Sequence, residues 1–401
     1  MSNKEVIDYI KKSFELKNQG FYKPAIEMLY KALAIDSDNV EILAQLAHLY
    51  KLLGNFERAV HYIEKVLETD KNHLECLLLE EEIYLEQGFL QLAKNVVDKI
   101  YEIQPTSKNL AKKINLLNKL QEFDVIKEIE EDEAKFDDEV LYELSCAYLE
   151  NFDMLKAVEM LEKGYGKNNK NLQIITSLAK IYYENKEFEK SLKLFKEAME
   201  INPDALVMNY LGLFELNNKN LTKAIDYFMS AQKADETNAE YAYNLASAYF
   251  LNGWFDEAAK YFNKAICIDS ENVDYHYSLA YLYYQKKDFE KALYELNFIK
   301  TIEQHHGPSN VLTALITAKK GDLLTARKQL ENTIKSFVDD FAYWALVQVY
   351  KELNLYDLAQ DAIELACYAS MSDEQFEEWQ RLEREMRDLI RQHLIRARAA
   401  M

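Results

Sequence analysis

The chain is poor in the residues that interrupt helices, because its 401 residues include only nine glycines and four prolines. Such a composition is typical of a nearly all-helical protein. The four cysteines lie far apart and form no C-x-x-C pair, so reduced thiols are expected. No run approaches the roughly 18 apolar residues of a membrane span, and the N-terminus lacks the apolar core of a signal peptide. These absences predict a cytoplasmic protein, and the Lys-, Asn-, Ile- and Tyr-rich usage suggests a bacterial one.

The sequence also lacks the motifs of catalysis and of phosphate binding. There is no G-x-x-x-x-G-K-[ST] or G-x-G-x-x-G loop and no G-x-S-x-G elbow. The seven histidines are scattered, and the adjacent pair His305 and His306 cannot share one helix face as metal ligands would. The formal charge of −20 would repel a phosphate backbone. We therefore expect no enzyme, no cofactor, no metal and no nucleic-acid partner, with an RNA-binding helical repeat as a minor alternative.

What the sequence does contain is a small residue that returns at a nearly fixed interval. The interval is 33 or 34 residues, apart from one gap of 64, and the members are Ala25, Ala59, Ala93, Ala157, Ser191, Ala224, Ala258, Ala292, Ala326 and Ala359. A fixed period of this length indicates a repeat array. Such an array offers an elongated surface instead of a single cleft, which favours protein binding over catalysis.

Other positions recur in step with this small residue. Around Ala258, the unit contains Leu245 and Ala246, then Tyr249 and, later, Phe262. Each unit thus holds two apolar-periodic segments with a short break between them, which predicts two antiparallel helices that cross at the small residue. The break contains glycine in five units, where a positive φ is expected: Gly20, Gly54, Gly88, Gly253 and Gly321.

The Leu-(Ala/Gly)-x-x-Tyr and Ala-x-x-x-Phe pattern at this period resembles the tetratricopeptide repeat. The resemblance implies an all-α protein, an α-solenoid of about eleven helix-turn-helix repeats that form a right-handed superhelix. It also implies that the first helices line a concave, partner-binding side. Ten repeats are clear, and one, at residues 108–137, is degenerate, short and acidic.

The degenerate repeat and the C-terminus divide the predicted array. Residues 1–107 form an N-terminal lobe of three repeats, and residues 138–372 form a C-terminal lobe of seven. Residues 108–137 are either a decayed repeat with a solvated acidic face or a hinge with an acidic patch for a basic partner. Residues 373–401 hold six of the eight arginines on an amphipathic helix, predicted to cap the last repeat. Alternatively, its Arg-rich end, with Arg391, Arg396 and Arg398, docks a partner or another copy of the chain.

The concave positions are rich in aromatic residues, which suit peptide recognition because they offer a broad apolar face at low entropy cost. The candidate binding residues are Tyr142, Tyr183, Tyr210, Tyr243, Phe250, Tyr277, Tyr281, Tyr284 and Trp344. The other interpretation is that these rings only pack between adjacent first helices. In the first three repeats the same face is acidic, with Glu41, Glu75, Glu82 and Glu86, so a ligand would be basic at one end and apolar in the middle.

Two functions fit this pattern. The first is a non-catalytic scaffold or adaptor that binds a peptide or helical segment of a partner protein in the Tyr-rich groove. The second is a structural subunit of a larger cytoplasmic assembly, such as a motor, secretion or organelle scaffold, that associates with itself through its ends. A chaperone-tail receptor is disfavoured, because the resemblance would require Lys, Asn and Arg at positions where this chain has Leu213, Asn244 and Asp274.

Overall fold

The helices of this protein follow one another as antiparallel pairs. The computed structural model describes residues 3–129, 136–369, 377, 379–386 and 389. Within these residues lie 22 numbered helices and no strand. Eleven pairs are therefore present, which confirms the predicted all-α solenoid of eleven repeats.

The first unit of the structure, Met1–Asn202, contains six of the pairs. Its helices are α1 (Asn3–Asn18), α2 (Tyr22–Leu33), α3 (Val40–Leu52), α4 (Phe56–Thr69), α5 (Leu74–Glu86), α6 (Leu90–Ile103), α7 (Ser107–Lys119), α8 (Phe123–Ile129), α9 (Asp138–Glu150), α10 (Met154–Lys167), α11 (Leu172–Glu184) and α12 (Phe188–Ile201).

The second unit, Pro203–Met401, contains the other five pairs. Its helices are α13 (Ala205–Asn217), α14 (Leu221–Ala234), α15 (Ala239–Leu251), α16 (Phe255–Ile268), α17 (Val273–Gln285), α18 (Phe289–Ile302), α19 (Gly307–Lys319), α20 (Leu323–Thr333), α21 (Asp340–Glu352) and α22 (Tyr356–Ala369). The predicted lobes at 1–107 and 138–372 remain predictions.

The small periodic residues lie where the two helices of a pair cross. Nine alanines and Ser191, all ten of the residues that defined the period, have no exposed surface. Ser191 adds a hydrogen bond, since its hydroxyl donates to the carbonyl of Ala179 at 2.6 Å. Larger side chains surround each crossing, and Phe195, Phe228 and Leu46 are fully buried there. A side chain much larger than that of alanine or serine would separate the two helices, which explains the periodic signal.

Each first helix ends in a Schellman turn. The residue after the last turn has a positive φ in all eleven pairs, and the next amide donates to a carbonyl five residues earlier. In the pair α15–α16, Gly253 has φ 79° and the Trp254 amide donates to the Tyr249 carbonyl at 2.9 Å. The five turn glycines confirm the sequence prediction. The other six members are not glycine: Gln121, Phe152, Lys186, Lys219, Lys287 and Asn354.

Polar side chains begin the first helix of each later pair. From α3 to α21, every first helix has an N-cap side chain that accepts a hydrogen bond from its first turn. Asn39 accepts from the Ile42 amide, and His73 accepts from the Cys76 amide at 3.3 Å. Such caps satisfy amides that have no partner inside the helix, so they fix where each repeat begins.

The degenerate repeat has a continuous apolar core, to which the described part of its second helix, α8, contributes. Ile114 on α7, Ile126 on α8 and Leu144 on α9 belong to one buried cluster. The predicted shortening of this repeat stays a prediction, because the acidic stretch 130–135 lies outside the described residues. The hinge remains a prediction.

A helical segment after α22 covers the last pair. Residues 379–386 are helical, and Trp379, Leu382 and Met386 are buried in the cluster formed by α19 to α22. Lys351 on α21 contacts Glu385 at 2.7 Å. This packing supports the predicted capping role, since a terminal repeat otherwise exposes its apolar face. Arg391, Arg396 and Arg398 lie outside the described residues.

Candidate protein-binding surface

Five of the seven predicted aromatic residues of the second unit lie on two neighbouring first helices, α15 and α17. Phe250 on α15 lies 5.8 Å from Tyr281 on α17, and Tyr281 lies 6.3 Å from Tyr284, between ring centroids. Tyr243 and Tyr277 occupy the same position in these two helices. All five side chains are half-buried. We call Tyr243, Phe250, Tyr277, Tyr281 and Tyr284 the aromatic band.

Neighbouring residues fix the orientation of the rings in the aromatic band. The Tyr243 ring lies 5.0 Å from the Tyr275 ring, and its hydroxyl is 3.2 Å from the Ser278 hydroxyl. Tyr277 meets His306 edge to face at 5.7 Å. Burial raises the pKa of the Tyr277 hydroxyl to about 12, with Tyr281 and Asp339 contributing less, so it stays protonated and able to donate.

The aromatic band includes no charge, although 29% of the chain is charged. On α15 the intervening residues are Asn244 and Ser247, and on α17 the corresponding residue is Ser278. In α15 and α17 themselves, the Asp, Glu, Lys and Arg residues are limited to Glu240 and Asp274 in the first turns, and both are exposed. Asp339, outside these helices, acts on Tyr277. An uncharged surface of this kind suits apolar side chains and peptide groups better than charged ones.

A buried amide pair beside the aromatic band was not predicted from the sequence. Asn209 on α13 is 1% exposed, and its side-chain oxygen accepts from the Asn244 amide at 2.9 Å. This arrangement leaves the Asn244 oxygen available as an acceptor. The sequence contains little sign of this pair, because Asn209 and Asn244 are not at equivalent positions: their positions in the repeat differ by one.

The remaining predicted aromatic residues lie elsewhere. Tyr142 and Tyr183 belong to the first unit, where Tyr183 meets Phe188 edge to face at 5.5 Å. Tyr210 on α13 is half-buried. Trp344 on α21 is 38% exposed and stacks on Phe341, with centroids 6.0 Å apart. These four residues are therefore not part of the aromatic band.

The first-helix face of the first unit has a different chemistry, because ion pairs link successive repeats. Lys51 on α3 binds Glu82 and Glu86 on α5, at 2.8 and 2.9 Å. Lys112 on α7 binds Glu81 at 2.8 Å. Two of the acids expected to attract a basic ligand are thus paired with a lysine of this chain, while Glu41 and Glu75 are exposed.

A cavity of about 370 Å³ opens on this face between α5, α7, α9 and α11. Its apolar lining includes Leu85, Ala111 and Leu116, and Tyr142 stands at one side. Burial raises the pKa of the Tyr142 hydroxyl to about 12, and Cys146 adds to the shift. Burial also raises the pKa of the Glu143 carboxyl, which accepts from the Asn115 amide at 2.8 Å. We call this the α7 cavity.

The described residues offer no group of three or more His, Cys, Asp or Glu side chains placed to hold a metal ion. The one buried histidine in this part of the chain, His276, contacts Glu295 at 2.7 Å and Phe298 at 4.4 Å, inside the α17–α18 pair. Within the described residues, no helix has the length and apolarity needed to cross a membrane.

Comparison with known proteins supports the repeat assignment. Residues 19–83, 176–239 and 239–272 each match a family model described as tetratricopeptide repeat. The matched segments and the eleven helix pairs indicate the same repeat unit. The chain is therefore a tetratricopeptide-repeat protein. Proteins of this fold generally act as scaffolds for protein–protein interaction.

Relatives share only part of the chain. A peroxisomal targeting signal receptor of Candida albicans is 33% identical over 84 residues, which are 21% of this chain and 14% of the receptor. The receptor of that name from Kluyveromyces lactis is 32% identical over 89 residues, or 22% and 16% of the two chains. The crystal structure of the APC/C hetero-tetramer Cut9-Hcn1 aligns with 85% of this chain and 75% of that one, at 14% identity and a TM-score of 0.52. This last likeness concerns the fold alone.

Proposed function

We propose that this protein is a non-catalytic adaptor that binds a peptide or helical segment of another protein on the aromatic band of α15 and α17. The observation that carries the proposal is the continuity of half-buried rings across two repeats without an intervening charge. Rings held in place by their neighbours lose little freedom when a ligand binds. The band is therefore suited to anchor apolar side chains of a partner.

The polar groups around the band suit the main chain of such a ligand. The Tyr277 hydroxyl, the Tyr281 hydroxyl and the Asn244 oxygen can exchange hydrogen bonds with peptide groups of a bound segment. The acids Glu240 and Asp274 at one end favour a basic residue there. The ligand class is thus a mostly apolar segment with a basic residue at one end.

The relatives are consistent with a receptor role. The curated proteins that match are named as receptors of a targeting signal, and a short signal in a client protein is the type of ligand that we propose. The match spans about one seventh of each receptor, so the client of this chain is a separate question.

The second candidate is a structural subunit that associates with itself. The observation that favours it is the strong exposure of Phe152 and Leu155 at a turn of the first unit, at 96% and 86%. The two functions use different surfaces, and each can be removed without the other.

The test of the adaptor function combines three substitutions on the band, Tyr243→Ala, Tyr277→Ala and Tyr281→Ala. The matched control is Tyr294→Ala on α18, a second-helix tyrosine that is 71% exposed. Proteins captured from source cells by the unaltered chain would be identified by mass spectrometry, and peptides from them titrated by fluorescence anisotropy. The triple variant should lose peptide binding by at least about tenfold, while the control retains it.

Folding of the triple variant must be followed by circular dichroism, because Tyr243 also packs on Tyr275. Tyr243→Phe separates the two effects, since it keeps the ring and removes only the hydroxyl. If the folded triple variant binds the peptides as well as the unaltered chain does, the proposal is wrong.

A further inference from the structure

The turn between α9 and α10 carries an unusual aromatic residue. Phe152 has φ 60°, a left-handed backbone that is unfavourable for any residue with a side chain. Its ring is 96% exposed, so contacts of this side chain do not offset the cost of the backbone conformation. The corresponding residue is glycine in five repeats and Gln, Lys or Asn in the other five. Residues in unfavourable conformations concentrate at functional sites.

Leu155, three residues after Phe152, is also unusual for its position in the repeat. It is 86% exposed at a position that is polar or charged in nine of the eleven repeats. Those nine residues are Lys23, Glu57, Gln91, Asp124, Glu189, Thr222, Asp256, Glu290 and Asp357. The tenth repeat has Leu324. Phe152 and Leu155 together form a protruding apolar pair, which we call the α9–α10 knob.

Three carboxylates lie close to the α9–α10 knob, together with Lys156, which directly follows Leu155. Asp153 lies between its two residues and caps α10 through the Lys156 amide at 3.1 Å. Asp124 and Glu189 occupy the position of Leu155 in the repeats on either side, at the roughly 10 Å spacing of packed helices. Two knobs facing each other would bring these acids together, so a symmetric contact between copies is unfavourable.

The α7 cavity has the complementary chemistry. Leu85, Ala111 and Leu116 are the apolar part of its lining, which is otherwise polar, and the lining includes the exposed Lys108 and Lys119. Neither lysine forms an ion pair within 4.0 Å among the residues that the structure describes, although Lys119 is close enough to Glu143 to favour its charged form. Of the three acids in the lining, Glu81 is paired with Lys112 and Glu143 accepts from Asn115. Glu139 is the one exposed acid, against two exposed lysines.

We propose that this protein associates head to tail, with the α9–α10 knob of one copy bound in the α7 cavity of a second copy. Phe152 and Leu155 cover the apolar lining, and Asp153 and its acidic neighbours face Lys108 and Lys119. The formal charge of −20 does not prevent this contact at physiological salt, where charges more than about 8 Å apart are largely screened. Knob and cavity are different surfaces, so the contact leaves both ends of a pair available for further copies.

The proposal is independent of the aromatic band and of the adaptor function. A contact formed by two side chains and a rim is smaller than the roughly 1,200 Å² of stable interfaces, so the association is weak and requires high protein concentration. It would supply the self-association that a structural subunit needs.

The first experiment measures the weight-average mass of the full chain by sedimentation over a wide concentration range. The unaltered chain should grow in mass with concentration. Phe152→Gly and Leu155→Glu should each lower the association constant by at least about tenfold. Leu324→Glu, the same change at the same turn position in the tenth repeat, should have no effect. A thermal midpoint of Phe152→Gly at or above that of the unaltered chain would show that unfolding is not the reason.

The second experiment uses the asymmetry of the contact. The variant Lys108→Glu/Lys119→Glu keeps the knob and alters the cavity, whereas Phe152→Gly alters the knob and keeps the cavity. Each variant alone should stay monomeric, and an equal mixture should form heterodimers but no longer chains. The proposal is overturned if the unaltered chain is monomeric throughout, if Leu324→Glu weakens association as much as Leu155→Glu, or if the mixture stays monomeric.

Discussion

The six non-glycine residues in left-handed turns predict a stabilising substitution. Lys287, in the turn between α17 and α18, has φ 60° and stands where the neighbouring repeat has Gly253 with φ 79°. Its side chain is exposed. The turn itself is held by the Asp288 amide, which donates to the Tyr283 carbonyl at 2.9 Å. Lys287→Gly should therefore remove a steric conflict while it leaves the hydrogen bonds of the turn unchanged.

The magnitude follows from two opposing effects. A left-handed backbone costs a residue with a side chain about 1–2 kcal/mol. Glycine loses about 0.5–1 kcal/mol more conformational entropy on folding than alanine does. The net gain expected from Lys287→Gly is thus about 0.5–1 kcal/mol. Local opening of the turn should become about two- to fivefold rarer, since about 1.4 kcal/mol corresponds to a factor of ten.

Hydrogen exchange is a better assay than a global melt, because long repeat arrays need not unfold in one step. The exchange of peptides that span residues 283–292 should slow by that factor in Lys287→Gly. Lys287→Ala is the matched control, because it removes the long side chain but keeps a Cβ atom, and it should give no slowing. In the reciprocal variant Gly253→Ala, the turn held by the Trp254 amide should exchange faster. Equal exchange rates in Lys287→Gly and Lys287→Ala would refute the reasoning.

Three further substitutions test the packing and the charges. Gly212→Ala should destabilise the second unit by about 1–3 kcal/mol, because a Cβ atom would lie 2.6 Å from the Phe228 ring, and chemical denaturation with and without Phe228→Leu measures the relief. Trp379→Ala should cost about 3–5 kcal/mol by leaving a cavity over the last pair, whereas the exposed neighbour Gln380→Ala should be nearly neutral in the same measurement. Burial raises the pKa of the Glu80 carboxyl above its ordinary 4.5, so the folded state favours the protonated form. That contribution is present below pH 4.5 and is lost as the pH rises through the folded pKa. Denaturation curves should therefore show Glu80→Gln more stable than the unaltered chain at neutral pH, with the difference disappearing in acid.

The helix pairs could be predicted because their strongest constraint is visible in one residue. Ala59, Ala258 and the other periodic residues lie where two backbones approach each other, and only a small side chain fits there. The five turn glycines gave the second constraint. Together they located the ten regular repeats. The unit of α7 and α8 has neither residue, with Gln121 at its turn and Ile126 at the crossing position, and only the gap of 64 residues indicated it.

The remaining left-handed turns could not be predicted from residue type. Gln121, Phe152 and Lys219 have no preference for a positive φ, and no neighbouring residue in the sequence indicates one. The Schellman hydrogen bonds and the packing of the two helices impose the conformation there. Once the period is aligned, the position itself predicts the backbone, and a residue such as Phe152 then becomes conspicuous.

The charge on the first unit was hard to predict for a similar reason. Glu82 and Glu86 belong to an acidic surface when the α5 sequence is considered alone. Lys51 lies more than thirty residues earlier, and the stacking of successive repeats brings it between them. Ion pairs of this type form between successive repeats. The sequence of one helix alone therefore overestimates the number of unpaired carboxylates on the surface.

The alternative explanation of the aromatic band is that its rings only fill the space between adjacent first helices. The repeats themselves argue against it. At the position of Tyr243 and Tyr277, two other repeats also have a ring, Tyr142 and Trp344. Five further repeats have none, and those helix pairs form as well: Ala44, Leu78, Ala111, Thr176 and Val311. Stacking of first helices therefore does not require a ring at this position. Tyr243 and Tyr277, with Phe250, Tyr281 and Tyr284 beside them, therefore exceed the structural need, which supports our proposal that a partner uses their exposed faces.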